Sequence, residues 1–259
     1  MNKIDKLFES KKKGVLNVYF TAGYPNLDDT VSVLESLQEA GADMIEIGMP
    51  YSDPVADGPT IQASNDKALA NGMTIPKLLE QLKGFRERVH IPVVMMGYVN
   101  PVMQYGIERF CAACEELGID GLILPDLPMQ VYRDEYKDLM ESHKLHNIFL
   151  ITPQTTNERI KEIDENSSGF IYVVSDASIT GAKKGISEEQ ISYFKRLNDM
   201  KLEQPTLIGF GISDHETFST ACEYANGAII GSAFIKALSQ EGEIKTNTSN
   251  FVTGVLKGE

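Results

Sequence analysis

Positive charge is scarce in this 259-residue chain: 24 Lys and Arg stand against 37 Asp and Glu, for a formal net charge of -13. A chain this acidic repels nucleic acid and anionic membrane, so neither is an expected partner. Its basic run, Lys11-Lys12-Lys13, reads as a solvated helix end. Long hydrophobic runs are also missing. No apolar stretch approaches the roughly 20 residues that span a bilayer. The opening segment MNKIDKLFESKKKG has no apolar core of the kind a signal peptide needs. Cysteine is rare, and three residues of it suit a reducing compartment, so the cytoplasm is the expected location. No linker, low-complexity tract or shift in composition marks a boundary, which points to a single domain over residues 1–259.

Against these absences, the chain repeats one unit. Short β-branched runs alternate with amphipathic stretches. The strands are expected at Leu16–Ala22, Asp43–Gly48, Pro92–Tyr98, Asp120–Asp126, Asn147–Thr152, Gly169–Val174, Pro205–Gly211 and Gly227–Ala233. Each is short and apolar on both faces, as in buried parallel sheets. A leading helix is expected over Lys3–Lys13, and helical patterns follow each strand. Eight strand–helix units in about 250 residues predict an α/β fold, a single (β/α)8 TIM barrel with an extra N-terminal helix. A doubly wound open sheet is the alternative, but no G-x-G-x-x-G follows the first strand.

Barrel chemistry sits at the C-terminal strand ends and the loops after them. There the stretch IEIGMPYSDPVADGPTIQ, Ile45 to Gln62, stands out. Strand residues alternate in direction, so Ile45 and Ile47 suit the helix side while Met44 and Glu46 point inward. A carboxylate there loses water, which raises its pKa and suits it to proton transfer near neutrality. Asp57 follows on a loop stiffened by Pro50, Pro54 and Pro59. The plain structural alternatives are an ion pair for Glu46 with Lys or Arg, and a helix cap for Asp57.

Two glycine-containing turns, IGFGIS (Ile208–Ser213) and IIGSAFIK (Ile230–Lys236), follow the last two strands, and each is expected to run straight into a helix. Backbone N–H groups at such turns, with a helix N-terminus, favour an anion, and phosphate-binding barrels use these two loops. Gly211, Gly231 and Ser232 are the candidate donors. The long polar segment SDASITGAKKGIS (Ser175–Ser187) reads as a lid or as a disordered surface loop without a role.

Other motifs point away from chemistry. CAAC (Cys111–Cys114) has redox spacing but lies within a helical pattern, so both cysteines are expected to pack. HKLH (His143–His146) precedes the fifth strand at the quiet end of the barrel and is expected to be solvated. His90 and His215 have no evident partners in the sequence.

The same residues resemble the tryptophan synthase α-subunit family from end to end. The stretch from Ile45 is similar to the family signature E-x-G-x-P-[FY]-S-D-P-x-A-D-G-P-x-I-Q, and FTAGYP, GYVNP, GLILPDLP, ITGAKKG, GFGIS and IIGSA follow in order. The resemblance implies retro-aldol cleavage of indole-3-glycerol phosphate to indole and glyceraldehyde 3-phosphate, in tryptophan biosynthesis. It implies that Glu46 and Asp57 are catalytic and that Tyr172, Tyr19, Met96 and Ile123 line the indole pocket. It places Thr180 in the lid and Gly181, Gly211, Gly231 and Ser232 around phosphate. It implies no cofactor in this chain, and a pyridoxal-phosphate β subunit as partner in an α2β2 heterotetramer. The loops facing that partner would carry Asp53, Pro54, Asn100, Pro101 and Pro128. One departure from the family's SRSGVTG lid is SDASITG, with Asp176 for a basic residue and Ser178 for glycine. A related barrel, indole-glycerol-phosphate synthase, would show a catalytic Lys at a strand end, and strands two to four offer none. A barrel kept only as a scaffold for the β subunit would be expected to lose the acidic pair.

Overall fold

The computed structural model describes residues 1–54, 57–175, 186–209 and 211–258. Nine strand segments are present: β1 (Val15–Thr21), β2 (Met44–Gly48), β3 (Val93–Met96), β4 (Gly121–Ile123), β5 (His146–Ile148), β6 (Leu150–Ile151), β7 (Ile171–Val174), β8 (Thr206–Gly209) and β9 (Gly227–Ile230). They pair in the order β5-β4-β3-β2-β1-β9-β8-β7-β6, and every pairing is parallel. β5 and β6 are two halves of one strand that breaks at Phe149. The first half pairs with β4, the second with β7, and the Phe149 carbonyl accepts from the Tyr172 N–H at 2.9 Å. The ring therefore closes with eight strand positions, and the fold is a (β/α)8 barrel.

The alternation of strand residues sorts the core into two parts. Val18, Phe20, Ile45, Ile47, Val93 and Met95 face outward into a large layer shared with the helices. Met44, Val94, Ile123, Ile148, Tyr172, Val174, Leu207 and Ile229 form a second cluster inside the barrel. The leading helix, Lys3–Ser10, belongs to that inner cluster. Its Ile4 and Phe8 are buried, and Phe8 lies 6.2 Å from Phe170 ring to ring, so the helix plugs the N-terminal end. It ends three residues before the expected Lys13, where Gly14 turns the chain with φ +72° into β1.

The plugged end is tied down by Asp120. Its carboxylate pairs with Arg86 and accepts from the Val93 N–H at 2.9 Å and the Lys3 N–H at 3.3 Å. The histidines expected to be solvated are instead paired: His143 meets Glu115 and His146 meets Asp5, both at 2.8 Å. His215 Nδ1 lies 2.9 Å from the Val255 carbonyl, a partner 40 residues away. Cys111 and Cys114 are buried on the helix Ile107–Leu117 and pack, as expected. Among the described residues, no helix is long and apolar enough to cross a membrane.

Candidate active site

Glu46 stands in the middle of β2, level with Tyr19 on β1 and Val94 on β3. It is 1% exposed. Its Oε2 accepts a hydrogen bond from Asn17 Nδ2 at 3.1 Å, and its Oε1 has no protein partner among the described residues. No Lys or Arg pairs with it there, so the ion-pair reading falls. Burial is the main force on this carboxyl and pushes its pKa up to about 8; the nearby Asp57 charge adds to the rise and the Asn17 bond opposes it. A carboxyl held up in this way can give and take a proton near neutrality.

Asp57 lies in the loop between β2 and the helix Pro59–Ala70, and is partly buried. It does not cap that helix: Gly58 is the N-cap and no side chain caps there. Its carboxylate accepts instead from Asn65 Nδ2 at 3.4 Å and from Tyr98. Burial raises its pKa, and these two hydrogen bonds pull it back toward the anion. Its backbone carbonyl accepts from Gln62 Nε2 at 2.7 Å, which pins the loop to the helix.

Tyr19 and Tyr172 fill the barrel between the two carboxyls and the far wall. Both are buried, which keeps both phenols neutral, and both feel the charges of Glu46 and Asp57. Each ring needs a glycine on the adjacent strand. A Cβ on Gly48 would strike the Tyr19 hydroxyl, and a Cβ on Gly209 would strike Tyr172, 2.5 Å from Cε1 and 2.6 Å from Cζ. Both glycines occupy inward positions, so they are the space the rings use. Met96 and Ile123 are register partners on β3 and β4 and pack in or against the inner cluster. Tyr172, Met96 and Ile123 thus share the inner cluster, and Tyr19 stands in register with Glu46 on the adjacent strand.

On the side of β1 away from β2, Gly231 begins the helix Ser232–Leu238 and sits against Tyr19, whose Cδ1 would be 3.3 Å from an added Cβ. Gly211 has φ +75° and lies beside Ser175, where β7 ends. The turn at Gly211 does not lead directly into a helix, contrary to expectation. The next helix, His215–Tyr224, is capped by the Asp214 carboxylate, which accepts from the Thr217 N–H at 2.9 Å. That helix end carries its own anion, so the expected help from its dipole is already taken. Thr180, Gly181, Asp176 and Ser178 lie outside the described residues.

Asn17 was not anticipated as a site residue. Its signal was a lone amide at an inward position of an otherwise apolar strand, LNVYFTA. Asn65 and Tyr98 were likewise missed, because only the fold brings them to Asp57.

The family model described as "Tryptophan synthase alpha chain" matches residues 6–255. The chain belongs to that family. A tryptophan synthase alpha chain of Flavobacterium psychrophilum is 55% identical over 256 residues, covering 99% of this chain and 100% of that one. One from Christiangramia forsetii is 56% identical over 255 residues, covering 98% of each. Among solved structures, the tryptophan synthase subunit alpha of Legionella pneumophila superposes with a TM-score of 0.89 at 33% identity, over 99% of this chain and 98% of that one. Tryptophan synthase from M. tuberculosis, in an aminoacrylate-bound form, gives 0.86 at 30% identity, over 100% and 99%. As a member of this family the chain is a lyase, the alpha subunit that works in tryptophan biosynthesis with a beta subunit.

Proposed function

We propose that Glu46 and Asp57 divide the retro-aldol cleavage of indole-3-glycerol phosphate between them. Indole is a poor carbanion leaving group. Protonation at ring carbon C3 turns the ring into an indolenine, which can accept the electrons of the breaking bond. Cleavage then needs three things: a proton for C3, an acceptor for the side-chain hydroxyl proton, and an anion near the ring N–H. Glu46 delivers the first and receives the second, so the proton count closes within one carboxyl. Asp57 accepts a hydrogen bond from the ring N–H and stabilises the charge that develops there. The supporting observation is that the two carboxyls lie in different surroundings: Glu46 is sealed and held up at about 8, while Asp57 is less buried and hydrogen-bonded toward its anion.

Tyr19, Tyr172, Met96 and Ile123 form the slot for the indole ring. Gly211, Gly231 and Ser232 bind the phosphate, and the expected roles of Gly181 at the phosphate and of Thr180 as the lid threonine that closes against Asp57 fall on residues outside the described ones. Of the two turns, Gly231–Ser232 offers the better anion site, because Asp214 occupies the other helix end. Holding the phosphate fixes the glycerol arm against Glu46. The scheme draws on no cofactor in this chain; pyridoxal phosphate belongs to the beta subunit.

The partner binds, in an α2β2 heterotetramer, to the loops after β2, β3 and β4, which carry Asp53, Pro54, Asn100, Pro101 and Pro128. Asp53, Asn100 and Pro128 are exposed. Asn100 Nδ2 donates to the Tyr51 hydroxyl at 3.1 Å, and the Val99 N–H donates to Asp126 at 2.9 Å, so the three loops are braced together. Met103, on the helix Val99–Tyr105, is 55% exposed, an apolar side chain suited to burial in an interface. The chain acts as one cytoplasmic domain.

Incubation with indole-3-glycerol phosphate, with and without the beta subunit, tests this reading. Equal release of indole and glyceraldehyde 3-phosphate is expected, lost in Glu46→Gln and strongly reduced in Asp57→Asn. Undiminished cleavage by Glu46→Gln would remove the proton-transfer assignment.

A further inference from the structure

Asn17 occupies the least hospitable place in the barrel for an amide. It is fully buried on β1, and its register partners are Met44 on β2 and Ile229 on β9, both apolar and both in the inner cluster. Its Nδ2 donates to Glu46 Oε2 at 3.1 Å, while its Oδ1 has no partner among the described residues. A buried amide with an orphan carbonyl is costly, and an apolar residue would fill the same inward position without that cost. The amide therefore serves something other than packing, and Glu46 is the one side chain it reaches.

We propose that Asn17 is a positioning residue that holds the Glu46 carboxyl through both of its protonation states. The inference rests on the proton-shuttle reading of Glu46. An asparagine side chain has a donor and an acceptor on one planar group. When Glu46 is ionised, the Asn17 NH2 donates to Oε2, as the structure shows. When Glu46 carries its proton on that oxygen, a half-turn of the amide lets Oδ1 accept from the acid O–H. A shuttle must exist in both states during one turnover, so a partner of fixed sense would grip only one of them. Because Asn17 stands one inward position below Tyr19, nearer the plugged end, it grips Glu46 from beneath. Oε1 has no protein partner among the described residues, which leaves it for the substrate.

The hydrogen bond that reaches the Glu46 carboxyl in the structure comes from Asn17, while the Tyr19 hydroxyl lies 3.3 Å from Thr21 Oγ1 and Asp57 in the loop after β2 repels a charged Glu46. From β3 it meets Val94, which is apolar.

Asn17→Leu, of similar size and without polar atoms, tests the inference in the full chain with the beta subunit present. The bond to the ionised form is charge-assisted and therefore the stronger of the two, so its loss raises the Glu46 pKa further. The pH midpoint of the Glu46-controlled limb of kcat should move up by about one unit. Loss of orientation should lower kcat by about 10- to 100-fold, with KM for indole-3-glycerol phosphate changed by no more than about twofold. Asn17→Ala carries the same reading where leucine disturbs folding. A fall in kcat with an unmoved midpoint, or a rise confined to KM, would show that Asn17 only packs. Glu46→Gln is assayed alongside. If it is dead while the Asn17 variants keep the wild-type profile, the positioning role alone is overturned; if it is active, both readings are.

Discussion

Gly209→Ala is the sharpest test of how the barrel makes room for its substrate. The added methyl would strike the Tyr172 hydroxyl and lie 2.5 Å from Cε1 and 2.6 Å from Cζ. Ordinary carbon contact begins near 3.5 Å, so the ring must withdraw by about 1 Å. Tyr172 is 5% exposed, packed in the inner cluster, and flanked by Leu150 and Leu207 on the adjacent strands. Its packing there leaves the ring little room to withdraw. Overpacking of this kind costs about 1–3 kcal/mol of stability. A ring displaced by 1 Å at the reacting centre lowers kcat/KM by about 100-fold. Urea denaturation gives the first number, and steady-state cleavage of indole-3-glycerol phosphate gives the second. If stability falls but kcat/KM holds, Tyr172 does not line the slot. If both hold, the inner wall is looser than the packing argued here.

Three further outcomes follow from other parts of the molecule. Glu46 is held near 8 in the folded chain against an ordinary value of 4.5, so the folded state binds the extra proton between those limits, and stability falls as pH rises through that window. Glu46→Gln should therefore gain on wild type from pH 5 to 8, by up to about 1.4 kcal/mol per pH unit, and a gap that stays constant in chemical denaturation would refute this. Arg86→Leu leaves Asp120 buried without its cation and the carbonyls of Ile91 and Gly118 without their donor; it should cost about 3–5 kcal/mol while kcat at low temperature stays near wild type, and a kcat below one tenth would show that the plugged end reaches the site. Burial lifts the Cys111 thiol to about 11 and pushes Cys114 well above the ordinary thiol range, so both should resist an aromatic disulfide reagent at pH 8 until the chain is unfolded; rapid labelling of either in the native state would contradict their packing.

The inward direction of Glu46 was legible because β2 carries one carboxylate in a strand that is otherwise apolar, and a period of two leaves no choice of face. The same parity argument applied to β1 exposes Asn17, but an amide does not announce its partner, and the distance from Asn17 to Glu46 exists only after β1 and β2 pair. The histidines show the same boundary. His143 finds Glu115 across 28 positions and His146 finds Asp5 across 141, contacts that no local pattern contains. The misread turn at Gly211 is different in kind. Asp214 with Thr217 three residues later was a capping signal present in the sequence, and it outweighed the glycine.

The helix Pro59–Ala70 joins the two halves of the site. Consecutive residues on it face different ways: Ser64 bonds the Thr21 hydroxyl at 2.7 Å, while Asn65 reaches Asp57. Thr21 lies 3.3 Å from the Tyr19 hydroxyl, so a chain of side chains runs from the slot wall through Thr21 and Ser64 into the helix. Asp57 hangs from the next residue of that helix. A shift of the loop after β2 is therefore registered against the wall that holds the ring, through one turn of helix. The arrangement accounts for a carboxylate on a loop keeping its place relative to a carboxyl on a strand, as the proposed division of labour between Asp57 and Glu46 requires.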